Sequence, residues 1–382
     1  MHRVAIVHTA DTLEAWDFCR GVASYRPRSG MWGLRSIPMK GEPSAAFLRR
    51  LGQIPCDGVI MAQGVARRLK PLHDLGVKVI GVDDNSDPAP YPRIHLDDRY
   101  IGQLAGEHLL DRGFTRVVFL GNQSGWSRDR ADGLHRVVTS GNAQCFRIFA
   151  TDWLDLLSET WITEQLRRIE RPFAIMGCND IVAACAVRAV NAVGWSIPGE
   201  VGVIGVDDRI TECIGVQPPL SSIAIERFRT GHEAARLLDQ SFTGKVDTRK
   251  VHMIRPQGVI ERESTSAFVC ADADIAAAIA FIHREACNGI TIDDVVRNVN
   301  LSRRTLERRF VEIVGRTPGD EIRKVRIDSA KRAIERSHLP LSDVAARCGF
   351  SCISSLSHSF RLATGMSPQA YRIKARAGGM AP

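Results

Sequence analysis

The chain of 382 residues contains no apolar run near the roughly 18 residues that a membrane span requires. Its opening, MHRVAIVH, holds an apolar stretch too short for a secretory signal, so a cytoplasmic chain that makes no membrane contact is expected. The ten cysteines stand singly, with no CxxC or Cys/His spacing. A zinc framework is thereby excluded, and reduced, mostly buried thiols are expected. Enzyme signatures are missing as well. There is no P-loop, no GxGxxG after the first strand and no HExxH, and GNQSG lacks the GxSxG spacing, so neither catalysis nor a cofactor is implied.

What remains is an ordinary folded composition, 44% hydrophobic and 25% charged, with room for two or three domains. The formal charge of +8 is unevenly placed. From Asp272 onward there are 18 Lys/Arg against 12 Asp/Glu, so most of the excess sits in the last third. A basic balance alone suits a solvated surface. Concentrated in one region, it favours a polyanionic partner for that region.

From Arg3 to about Pro256, short apolar runs alternate with amphipathic stretches. The runs at 3–7, 57–61, 77–82, 116–120, 146–150, 173–177, 201–206 and 220–225 read as strands, and the alternation predicts two parallel sheets covered by helices. Acidic and polar residues follow several of them: Asp83 and Asp84, Asn179 and Asp180, Asp207 and Asp208. In open parallel sheets these strand ends line the ligand crevice. Any one of them also suits a helix N-cap, and Asp180 taken alone fits that reading better.

CNDIVAACAVRAVNAVGWSIPGEVGVIGVDD resembles the ligand-domain signature of the lac and galactose repressor family, as do HLDDRYIGQLAGEHLLDRGFTRVVFLGN and PPLSSIAIERFRTGHEAARLL. The resemblance implies a periplasmic-binding-protein-like domain over 1–262: two α/β lobes, three crossing strands, and a sugar or similar ligand between them. It departs from that family because no DNA-binding headpiece precedes the first strand. Carried over motif by motif, the ligand contacts implied are Arg130 in SRDRADG, Asn179 in CND and Asp207 in GVDD, with Asp83 a weaker match. An Arg and an Asp can bracket adjacent sugar hydroxyls, one donating and the other accepting. Arg130 and Asp207 could instead pair with each other. HTADTLEAWDF adds Asp11 and Trp16, and GNQSGW adds Trp126, since an aromatic face packs on a sugar's C–H surface. Either Trp also suits plain helix packing.

Residues 261–271 break the α/β rhythm with charged and Ser/Thr positions, and a linker is placed at 263–274. Beyond it, Ile275, Ile279 and Ile282 mark a packing helix. A unit then occurs twice: Leu306, Phe310, Gly315 and Pro318 recur fifty residues later as Leu356, Phe360, Gly365 and Pro368. Leu and Phe four apart lie on one helix face, which turns inward. The outward face of the first copy carries Arg303, Arg304, Glu307, Arg308 and Arg309, suited to phosphates and base edges. The second exposes Ile353, Ser354, Ser357 and His358, poorer donors that suit looser readout. Thr291 with Asp294 reads as a capping box for a helix through Val295, Val296 and Val299. Pro318 opens a long connecting helix with a stripe of Ile322, Val325, Ala330 and Ile334, and Ser342 reads as the next cap.

SRRTLERRF, GRTP, VAARCGF and F-x4-G-x2-P-x2-YR together resemble the AraC family of transcriptional regulators across about 100 residues, with Val296 and Leu356 departing from its usual Ala and aromatic. This resemblance implies a double helix-turn-helix DNA-binding domain over 275–376 that reads successive major grooves about 34 Å apart. Arg304 and Arg308 are expected on bases and Arg303 nearer phosphate. With the two domains in this order, a homodimeric activator of a sugar-catabolic operon is implied, binding double-stranded operator DNA, a pentose such as xylose, and RNA polymerase. A sensor or repressor for a different polar ligand is the alternative. A transport-type solute-binding protein is opposed by the missing signal and by the basic tail.

Overall fold

The computed structural model describes residues 1–9, 13–39, 44–62, 73, 76–83, 91–244, 247, 250–266, 268–269, 272–337 and 339–378. The first lobe holds β1 (His2–Thr9), β2 (Trp32–Met39), β3 (Gly58–Ala62), β4 (Lys78–Val82) and β5 (Arg93–Leu96). The second holds β6 (Arg116–Asn122), β7 (Gln144–Ala150), β8 (Phe173–Gly177), β9 (Val201–Asp207) and β10 (Ser221–Ala224). The chain then returns β11 (Val251–Ile254) to the first sheet, in the order β11-β5-β4-β3-β1-β2, and β12 (Gly258–Ile260) to the second, β12-β10-β9-β8-β6-β7. All pairings are parallel except β12 on β10. The expected two sheets are therefore present, and β3, β8 and β9 are buried almost throughout, as strands covered on both faces must be.

The chain passes between lobes three times: after Leu96, after Ala224 and after Ile254. The crossings are tied to one another. The Asp97 N–H donates to the Ile254 carbonyl and the Gln257 N–H to the Ala224 carbonyl, both at 2.9 Å.

Helix Asp98–Asp111 lies against helix Gly125–Ser140 at contact too close for side chains. A Cβ on Gly102 would sit 2.0 Å from the Arg130 carbonyl oxygen, and one on Gly133 1.9 Å from that of Arg99. Only glycine allows this approach.

The C-terminal region has two cores. Ile275, Ile279, Ile282, Val295, Leu306, Phe310 and Ile322 form the first, and Ile327, Ala330, Ile334, Val344, Leu356 and Phe360 the second. Helix Pro318–Arg336 runs through both, its N-terminal half in one and its C-terminal half in the other. Helices Arg303–Val314 and Ile353–Thr364 end alike, on Gly315 and Gly365 at φ +75° and +74°, a left-handed closure that favours glycine.

Two local expectations change. Ser342 lies inside helix Leu341–Arg347, which starts after Pro340, and its hydroxyl donates to Asp343 at 3.0 Å. The helix capped by Thr291 stops at Arg297, so Val299 lies beyond it, though still against the core. Within the stretch expected to link the domains, residues 263–266, 268–269 and 272–274 are described. Ser264 and Thr265 are fully buried, with the Ser264 hydroxyl donating to the Val203 carbonyl at 2.6 Å, and residues 273 and 274 already belong to helix Ala273–Glu285.

Candidate functional site

The strand ends of both lobes bring charged groups together between them. Arg130, on the second turn of its helix, is 4% exposed. Its Nε donates to Asp98 at 2.8 Å and its Nη1 to the Cys178 carbonyl at 2.5 Å, and its guanidinium lies 4.9 Å from the Trp126 ring centroid. Burial opposes the charge of Arg130, but the fields of Asp98 and Asp207 overcome it and raise its pKa. Asp98 is pushed up to about 6 by burial against the pull of Arg130, with Asp83 raising it further. Asp83, just past the end of β4, is close enough for its charge to be felt at Asp98.

Asp207 does not bond to Arg130. Its carboxylate takes Arg227 Nη2 at 3.0 Å, so the mutual pair considered from sequence is replaced by two separate ones. Arg227 opens the helix Arg227–Phe242, which packs on the first lobe's helix Leu13–Ser24, whereas Asp207 ends β9 in the second lobe. The pair spans the cleft. Asp83, Asp207 and Asp208 all have positive φ, at 52°, 111° and 53°. Non-glycine residues held so, clustered at strand ends, are typical of ligand sites.

Asn179, not Asp180, caps helix Asp180–Ala192, accepting the Val182 N–H at 3.0 Å and leaving its own NH2 as a donor. Asp180 is fully buried instead. It accepts the Ser222 hydroxyl at 2.6 Å and the Arg209 N–H at 2.7 Å, and so braces the turn that carries Asp207 and Asp208. Burial, then the nearby charge of Asp207, pushes it up to about 8.

Among the other expected contacts, Trp126 stands beside Arg130, Trp16 is 63% exposed on its helix, and Asp11 lies outside the described residues. Sequence reading missed Asp98 and Arg227. The signal for Asp98 was the doubled aspartate of HLDD: Asp97 caps the helix, which leaves Asp98 without that role.

On helix Arg303–Val314, Leu306 and Phe310 are buried, and Arg303, Arg304 and Arg308 are exposed. Arg303 pairs with Glu307 and Asp293, both at 3.1 Å, and Arg308 with Glu312 at 2.9 Å. Arg304 has no ion pair among the described residues. Arg309 departs from the outward face, because it is bound to Asp272 and lies 3.6 Å from Asp274 at the start of the packing helix. Ile353, Ser354 and His358 are exposed on the second helix, with Ser357 half-buried. Among the described residues no helix is long and apolar enough to cross a membrane.

A family model described as periplasmic binding protein-like domain matches residues 106–265, and one described as helix-turn-helix domain matches 295–374. The chain carries a periplasmic binding protein-like domain followed by a helix-turn-helix domain. The chain is similar to relatives nearly end to end. It is 25% identical to the xylose operon regulatory protein of Escherichia coli K12, over 97% of each chain. A structure of the xylose-binding transcription activator xylR covers 98% of both chains at TM-score 0.59 and 23% identity. A periplasmic binding protein/LacI transcriptional regulator from Alkaliphilus metalliredigens, complexed with D-xylulofuranose, covers 69% of this chain and 99% of its own, at TM-score 0.57 and 17% identity.

Proposed function

We propose that the chain is a cytoplasmic, sugar-responsive regulator that binds operator DNA as a homodimer and activates a sugar-catabolic operon, with a pentose such as xylose as effector. The observation that carries the sugar reading is the set of donors and acceptors between the lobes. Asp83, Asp98 and Asp207 offer acceptors, Arg130, Arg227 and Asn179 offer donors, and Trp126 stands beside Arg130. Vicinal hydroxyls need this alternation, and an aromatic beside it suits the apolar face of a sugar ring. The names of the end-to-end relatives favour a pentose.

Arg304 and Arg308 are assigned to base edges and Arg303 to phosphate, with Ile353, Ser354, Ser357 and His358 facing a second major groove. A dimer is favoured by exposed Leu154, Ile210 and Ile214, which lie on or beside short elements flanking helix Asp180–Ala192. RNA polymerase is the partner an activator requires.

A thermal-shift screen with pentoses, hexoses and polyols tests the sensor, because a ligand bound only by the native state stabilises it by mass action. A rise in Tm with one sugar class is expected. No shift with any of them would sink the reading.

A further inference from the structure

One helix joins the cleft to the DNA-binding domain. Helix Asp98–Asp111, 14 residues and about 21 Å long, has Asp98 on Arg130 at its first turn. At its other end Asp111 accepts Lys324 Nζ at 2.6 Å and lies 3.9 Å from Arg316. The residue that follows, Arg112, is 8% exposed and bonds to both domains. One of its terminal nitrogens pairs with Glu261 and the other donates to His283 Nδ1.

From there the chain of bonds runs on into the first helix-turn-helix unit. His283 Nε2 donates to Glu321 at 2.7 Å, and the other oxygen of Glu321 takes Arg316. The imidazole thus accepts on one nitrogen and donates on the other, which only its neutral form can do.

A second route reaches the same arginine. Asp208, beside Asp207 in the cleft, takes Arg262 Nη2 at 2.6 Å, and the neighbouring Glu261 is the partner of Arg112. Around this junction is a cavity of about 500 Å³ lined by Arg112, Glu261, Arg262, His283, Glu321 and Lys324. All the C-terminal partners belong to the first unit or to the start of the connecting helix.

We propose that Arg112 is the coupling residue of the molecule. A change at Asp98 and Arg130, or at Asp207 and Asp208, reaches the first helix-turn-helix unit through Arg112, His283 and Glu321, and the second unit follows on helix Pro318–Arg336. Removing one member of a buried, bonded charge set is costly, so the set moves as a body and does not absorb displacement. This rests on the sugar-sensor reading.

The test uses full-length protein, with D-xylose as probe or, if that gives no shift, whichever sugar of the screen does. Tm and operator affinity are measured with and without sugar. His283→Leu, which can neither accept from Arg112 nor donate to Glu321, should keep the sugar-induced rise in Tm. Its sugar-dependent gain in operator affinity should fall below about twofold, against the 5- to 150-fold usual for coupled sites. His283→Gln, whose carboxamide can accept and donate in the same places, should retain most of the gain. A wild-type gain in His283→Leu overturns the proposal. If His283→Leu does not fold, Glu261→Gln removes the charge that holds Arg112 on the sensor side instead: a reduced gain supports the coupling role and an unchanged one overturns it. Failure of the sensor reading looks different, because wild-type protein then shows no rise in Tm with any sugar.

Discussion

Asp207 and Arg227 meet at 3.0 Å across the cleft, a carboxylate from one lobe against a guanidinium from the other. The same kind of bond holds Arg130 to Asp98 beside them. In the proposed reading, a sugar entering between the lobes would meet charged groups already held in place, so little ordering entropy would oppose binding.

Arg130→Ala and Asp207→Ala each remove a charged partner from the proposed site. Hydrogen bonds to charged groups are worth about 1.5–3 kcal/mol, so sugar binding should weaken by roughly 10- to 150-fold and the Tm shift should vanish at moderate sugar concentrations. Operator binding without sugar should persist, because the residues assigned to DNA lie in the other domain, while its sugar-dependent gain is lost. A wild-type shift in either variant would remove that residue from the site.

The two recognition helices should differ. Arg304→Ala and Arg308→Ala should each cost about 1–3 kcal/mol on the preferred operator and relax specificity at one base pair. Ser357→Ala should change affinity by less than about 0.5 kcal/mol. Arg303→Ala should weaken binding evenly across sequences and reduce the slope of log K against log salt by about 1. Anisotropy titrations on single-base operator variants at several salt concentrations separate these outcomes.

Strands dense in Val and Ile were legible from the sequence because burial on both faces leaves no room for polar residues. The strands β2, RIHL at 93–96, VHMI at 251–254 and GVI at 258–260 were not. The first is an edge strand with three consecutive exposed residues, and the other three are short. Within the site, Arg130, Asn179 and Asp207 stood out by motif. Arg227 did not, since in ERFRTG it is one of two arginines, and only the second crossing between lobes swings it over Asp207. Arg112 was hidden for the same reason. A cation after the last turn of a helix is the ordinary complement to a helix C-terminus, and nothing local shows that a second domain folds over it.

Acid should loosen the junction between the domains. Burial works to raise the Glu321 carboxyl, but hydrogen bonds from His283 and Arg316 outweigh it and bring its pKa from the usual 4.5 to about 2. The folded pKa lies below the unfolded one. The stabilisation is therefore complete above about pH 4.5 and is lost as pH falls toward 2. It amounts to about 3 kcal/mol. Urea titrations at pH 7, 5 and 3 should show wild type losing stability over the lower interval, and Glu321→Gln, less stable at pH 7, should lose less. Parallel curves for the two proteins would mean that this carboxylate is not what acid removes.

Gly133→Ala tests helix Asp98–Asp111 at its cleft end. The new Cβ would lie 1.9 Å from the Arg99 carbonyl oxygen, a contact with backbone, so helices Asp98–Asp111 and Gly125–Ser140 must move apart. Overpacking of this kind costs about 1–3 kcal/mol. The displaced carbonyl belongs to the residue after Asp98, and the altered position lies one turn beyond Arg130, so the separation acts on the 2.8 Å bond between them. The variant should therefore lose sugar affinity as well as stability, whereas Gly244→Ala, in a turn at φ +68° with nothing within 4 Å of its Cβ, should lose stability alone. Thermal melts with and without sugar distinguish the two. If Gly133→Ala kept a full sugar shift, the close helix contact would serve packing only and would play no part in holding Asp98 on Arg130.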